Sequence, residues 1–139
     1  MLRILTAGCM IVERTGMVDI DAAADFQRKR VERILAARRE RWAIAAADAE
    51  RIVAMIVRKY QPDAVYQWGS VLRPEKFTEV SDIDIAVEGV DDPAQFSELL
   101  GEAEDMTRLP LDIVQLEHIE PEFRELIVRY GRCVHERTN

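Results

Sequence analysis

The chain has 139 residues, 48% of them hydrophobic, with 19 Lys+Arg against 26 Asp+Glu and a formal net charge of -7. That describes one domain able to bury a core, and the acidic balance argues against a general nucleic-acid binder. The charge is uneven, residues 1–60 carrying +4 and residues 61–139 carrying -11. A polyphosphate held in the acidic part therefore needs metal ions between it and the protein.

The opening "MLRILTAGCMIV" is read as neither a lipoprotein nor a signal sequence. Leu5 stands one residue too far from Cys9, and the apolar run is too short for an h-region. Residues 1–20 are expected to be an N-terminal extension without regular structure, and Met17 offers an alternative start. No window approaches the roughly 20 apolar residues of a membrane span. Cys9 and Cys133 are the only cysteines. Without metal-ligand spacing they read as free thiols in a reducing, cytoplasmic setting.

Between Gly16 and Pro62 there is neither glycine nor proline. Val31, Leu35, Trp42, Ala45, Ala49, Ile52 and Ile56 recur at helical spacing, which predicts a long helix over residues 21–60, with a break allowed near Arg38–Arg41. Its first half is charged and amphipathic, and is expected to face a partner: a helical protein or a second copy of the chain. Its second half is more apolar and is expected to pack on a core formed by residues 61–139.

"AVYQWG" then reads as a strand ending in Gly-Ser, and "RPEKFTEVS" as a polar loop leading to the strand "DIDIAVEG". Asp92-Pro93 with Gln95 marks a helix start, "LPLDIVQL" a third strand, and Glu120-Pro121 a further helix stopped by Gly131. In that helix Phe123, Leu126, Ile127 and Tyr130 share a face. "RCVHE" is expected to be a short last strand. The order predicts an α/β (α+β) fold, a small mixed sheet backed by helices.

Two strands carry charge where a buried strand should not. Alternation places Ile83, Ile85 and Val87 on one face and Asp82, Asp84 and Ala86 on the other. Asp112 sits on one face of the third strand with Val114 and Leu116. Adjacent carboxylates repel, and an unpaired buried charge is costly. If the two strands are neighbours, Asp82, Asp84 and Asp112 converge into an oxygen-rich site suited to Mg²⁺. Two such ions about 3.5–4 Å apart can clamp the attacking and leaving oxygens of a phosphoryl displacement. Gly69-Ser70, directly after a strand, lets the backbone approach a ligand and offers N–H groups and a hydroxyl to phosphate oxygens. The competing reading of the aspartates is a wet strand face. Arg73 and Lys76 read as solvated loop charges, His118 as a lone strand-end residue, and Trp42 and Trp68 as core or interface residues.

"GSVLRPEKFTEVSDIDIAV" followed by "LPLDIVQL" resembles the minimal nucleotidyltransferase domain of the DNA polymerase β superfamily, over about residues 42–134. The Gly-Ser to Asp spacing, Val71 to Ser81, is one residue longer than the commonest family form, and Arg73-Pro74 replaces the usual Arg-Gly. A subgroup with a long N-terminal helix matches better, through Phe77-Thr78 and Ser81. The resemblance implies that Gly69, Ser70 and Lys76 bind the nucleotide. It makes Asp82, Asp84 and Asp112 the catalytic residues and the ligands of two Mg²⁺ ions, with Asp112 also activating the acceptor hydroxyl. It further implies transfer of NMP, foremost AMP from ATP, to a hydroxyl on a HEPN-type helical partner, as in toxin–antitoxin pairs. Two alternatives stand beside it: a catalytically idle antitoxin or adaptor that binds through the long helix, and an aminoglycoside-type adenylyltransferase. Neither membrane nor nucleic acid is an expected partner.

Overall fold

A computed structural model describes residues 18–138. Cys9, Met17 and most of the expected N-terminal extension lie outside them. Helix α1 spans Ile20–Tyr60. It begins where the Asp19 carboxylate accepts a hydrogen bond from the Ala22 N–H at 3.0 Å, satisfying a donor that a helix start leaves open. Arg58 and Lys59 in its last turn complement the helix dipole. It stops at Gln61, whose φ of +49° precedes Pro62. The break allowed for near Arg38–Arg41 does not occur, because no glycine or proline interrupts the ladder there.

Two compact units meet within this helix, one up to Ala36 and the other from Ala37 onward. In the first, Phe26, Val31 and Leu35 are exposed. In the second, Ala45, Ala49, Ile52, Val53 and Ile56 are buried at the 3–4 spacing of a single helical stripe.

The second unit holds a four-stranded mixed sheet of order β3-β2-β1-β4, with β1 Ala64–Trp68, β2 Ile83–Glu88, β3 Leu111–Gln115 and β4 Arg132–Glu136. The central strand β1 pairs antiparallel with both β2 and β4. β2 and β3 run parallel, which requires a crossover; helix α2, Pro93–Asp105, provides it. The Asp92 carboxylate caps α2 by accepting from the Gln95 N–H at 3.2 Å, as the cap signal predicts.

One face of the sheet gives Val65, Ile83, Ile85, Val87 and Ile113 to a core shared with α1 and with Leu99 and Ala103 of α2. Each fully buried side chain of this size contributes about 1.5–3 kcal/mol. The other face carries helix α3, Pro121–Tyr130, where Ile127 packs with Ala86 and Leu116. Gly131 ends α3 in close quarters: a Cβ there would lie 2.9 Å from the Gln67 carbonyl oxygen and closer still to that of Ile127. Among the described residues no helix is long and apolar enough to cross a membrane.

Candidate active site

Strand β1 ends at Trp68, and Gly69 turns the chain with φ +75° into a 3₁₀ turn, Gly69–Leu72. This is a left-handed conformation that side-chain-bearing residues adopt only under strain. Glycine is needed for a second reason. A Cβ at this position would overlap Asp84 Oδ2 and stand 3.1 Å from Asp84 Cγ. The Gly69 backbone is therefore packed directly on Asp84, one of the aspartates the sequence singled out.

Register brings the carboxylates together. Asp84 lies opposite Trp68 on β1 and beside Asp112 on β3, so neighbouring parallel strands present the two aspartates side by side. Asp82 stands just before β2. Burial pushes the Asp84 carboxyl up from 3.8 to about 7, and the charges of Asp112 and then Asp82 push it the same way. Asp82 and Asp84 are partly buried, whereas Asp112 is exposed at the sheet edge.

All the donors are carboxylate oxygens, which suits a hard cation. Among the described residues no three acidic, histidine or cysteine side chains are gathered into a set that would hold an ion unaided. Mg²⁺ does not demand one: it is usually bound through one or two carboxylates, with waters and substrate phosphates completing its shell. The Asp84–Asp112 pair, with Asp82 within electrostatic reach, fits that requirement.

Gly69, which packs on Asp84, also lines a cavity of about 620 Å³, a size common for small-molecule sites; none of the three aspartates is among its lining residues. Gly69, Ser70, Arg73 and Lys76 line one part of it, and Phe123, Leu126 and Tyr130 of α3 line another. Both loop cations thus border the cavity. Trp68 joins the two parts: its ring meets Phe123 edge-on at 5.1 Å, and its Nε1 is buried without a hydrogen-bond partner. In the sequence the α3 wall reads only as an amphipathic helix face. The signal available was its excess of apolar surface, since Leu126 and Tyr130 remain 53% and 65% exposed.

The segment between Gly-Ser and Asp82 is tied down locally. Phe77 is buried in the core, and Ser81 Oγ accepts from the Thr78 N–H at 2.9 Å. His118 faces Asp91 at 2.8 Å.

The sequence profile described as "Polymerase beta, Nucleotidyltransferase" matches residues 50–139. Among solved structures, one described as a minimal nucleotidyltransferase shares 27% identity at a TM-score of 0.50, covering 62% of this chain and 88% of the other. A toxin–antitoxin structure with AMP-PNP shares 24% identity at a TM-score of 0.53, covering 63% and 73%. The toxin–antitoxin MntA-HepT structure shares 20% at a TM-score of 0.50, covering 66% and 72%. No curated protein matches the chain. The profile spans more than half of the chain, and the fold agrees with it: this chain belongs to the polymerase β nucleotidyltransferase family.

Proposed function

We propose that the protein is a Mg²⁺-dependent nucleotidyltransferase that moves an NMP group, foremost AMP, from an NTP to a hydroxyl on a partner protein. The observation that carries this reading is the packing of the Gly69 backbone against Asp84, itself beside Asp112. A phosphate-binding turn and a pair of carboxylates in direct contact are what an acidic protein needs to handle a triphosphate.

In this reading Gly69 and Ser70 hold the β- and γ-phosphates, and Lys76 adds a positive charge to them. Asp82, Asp84 and Asp112 would hold the two Mg²⁺ ions, which would supply neutralisation of the charge that develops on the α-phosphoryl group. Asp112, exposed at the edge strand, takes the proton of the acceptor hydroxyl. The hydroxyl oxygen forms a bond to the α-phosphorus, the bond from that phosphorus to the bridging oxygen breaks, and pyrophosphate leaves. Orientation and electrostatic stabilisation supply most of the rate. With its pKa raised to about 7, Asp84 is only partly ionised near neutrality when no cation is bound.

The partner is read as a HEPN-type helical protein, on the pattern of the MntA-HepT toxin–antitoxin neighbours, and the setting as cytoplasmic. A second reading is an idle antitoxin or adaptor. It is favoured by one observation: Phe26, Val31 and Leu35 of α1 are exposed and lie outside the matched residues 50–139.

The test is label transfer. The protein is incubated with Mg²⁺ and ATP labelled at the α-phosphate, with and without source-cell lysate, and with Asp84→Asn as control. Label in a discrete protein band, lost in the variant, supports the enzyme and reveals the acceptor. Equal binding of a partner by wild type and Asp84→Asn, with no transfer under any NTP or with Mn²⁺, supports the adaptor.

A further inference from the structure

A turn that cradles phosphates must hold its N–H groups still before the ligand arrives, or ordering it is charged against affinity. Residues 69–82 have little regular structure of their own, only two 3₁₀ turns, Gly69–Leu72 and Pro74–Lys76. Part of their rigidity comes from outside the segment, and from a part of the chain that the family match does not include. The indole Nε1–H of Trp42 on α1 donates to the Val71 carbonyl oxygen at 2.7 Å in a partly buried bond. Four residues earlier, Arg38 forks onto Glu79, with Nε to Oε1 at 2.9 Å and Nη2 to Oε2 at 3.2 Å. Residues four apart lie on the same helix face. One turn of α1 therefore grips both ends of the segment: the Gly-Ser turn at Val71, and the approach to Asp82 at Glu79.

We infer that Trp42 and Arg38 are positioning residues for nucleotide binding, setting the distance between the phosphate-binding turn and the aspartates without touching the ligand. The inference rests on the NTP reading of the site. The two contacts are unequal. A partly buried hydrogen bond that is lost without a replacement leaves the Val71 carbonyl unpaired, whereas an exposed ion pair contributes little. Trp42 is therefore the stronger of the two.

The experiment is Mg²⁺-ATP binding to the full chain by calorimetry, paired with thermal melting. Trp42→Phe keeps the aromatic packing and removes the donor. It is expected to weaken ATP binding about three- to tenfold, with a lowered melting temperature but an intact cooperative melt. Amide exchange is expected to quicken in residues 70–81 and not in the sheet. Arg38→Glu is expected to weaken binding about twofold, and adding Glu79→Arg to restore it. ATP affinity equal to wild type in Trp42→Phe overturns the inference and leaves the NTP reading standing. If Trp42→Phe does not fold, wild-type affinity in Arg38→Glu overturns it instead. Wild-type protein that binds no NTP removes the reading of the site and the inference together.

Discussion

The two faces of the central strands carry opposite assignments within the same few residues. On one face of β2, Ile83, Ile85 and Val87 are fully buried beneath α1 and α2. On the other, Asp84 sits between Trp68 and Asp112, against the Gly69 backbone, while Ala86 continues the face under α3. The period of two makes this possible, since a strand can anchor itself with alternate residues and spend the rest on a site. The arrangement has a thermodynamic cost that falls on one face only. Burial and two like charges make Asp84 hard to ionise, so the site face is held in place by the core face rather than by its own interactions.

Substitutions that separate the faces should separate activity from stability. The largest effect is expected from Asp84→Asn, which should lower nucleotidyl transfer by about a thousandfold or more through lost metal ligation and leave the melting temperature of the metal-free protein unchanged or raised. The label-transfer assay and a melt of the same sample check both halves. A sharp fall in stability would mean that Asp84 is structural. One residue away, Ile85→Ala should cost about 2–5 kcal/mol of unfolding free energy, measurable by urea titration. Transfer per folded molecule should stay within a fewfold of wild type.

Gly69→Ala stands between the faces. The left-handed backbone alone should cost about 1–2 kcal/mol, and the new methyl must displace the Asp84 carboxylate. NTP affinity should therefore fall together with stability, and calorimetry that finds ATP affinity intact would contradict the contact. The last test is a pH dependence. Folding raises the Asp84 pKa from 3.8 to about 7, so the native state binds the proton more tightly than the unfolded chain. Asp84's destabilising contribution is then absent below about pH 4, grows between pH 4 and 7, and is complete above pH 7. The melting temperature of metal-free wild type relative to Asp84→Asn should decline across that window. A constant difference would contradict the shift.

Much of this was legible from residue patterns. The alternation in "DIDIAV" assigns its faces without knowledge of the neighbours, and Asp92-Pro93 marks the start of α2 because capping is a local event. Long-range consequences were less legible. The sequence joined Asp112 to Asp82 and Asp84 only on the condition that the two strands are neighbours, and for Asp84 a parallel crossover meets that condition 28 positions later. Arg73 and Lys76 read as solvated loop charges, but both border the cavity that α3 also lines, a placement that loop composition does not encode. Trp42 read as a core or interface residue. Its bond to the Val71 carbonyl depends on where a helix that ends at Tyr60, before β1 begins, crosses that turn.

By itself, then, the sequence determined the elements, the helix starts and stops, the faces of each strand and the chemistry of the donors. These depend on periodicity and on the backbone preferences of residues near one another. The tertiary structure decided which carboxylates are neighbours, that Gly69 is a contact of Asp84 as well as a turn, and that α1 grips the segment between them. Those depend on strand register and on how tightly two backbones approach, quantities set by the packing of the whole core.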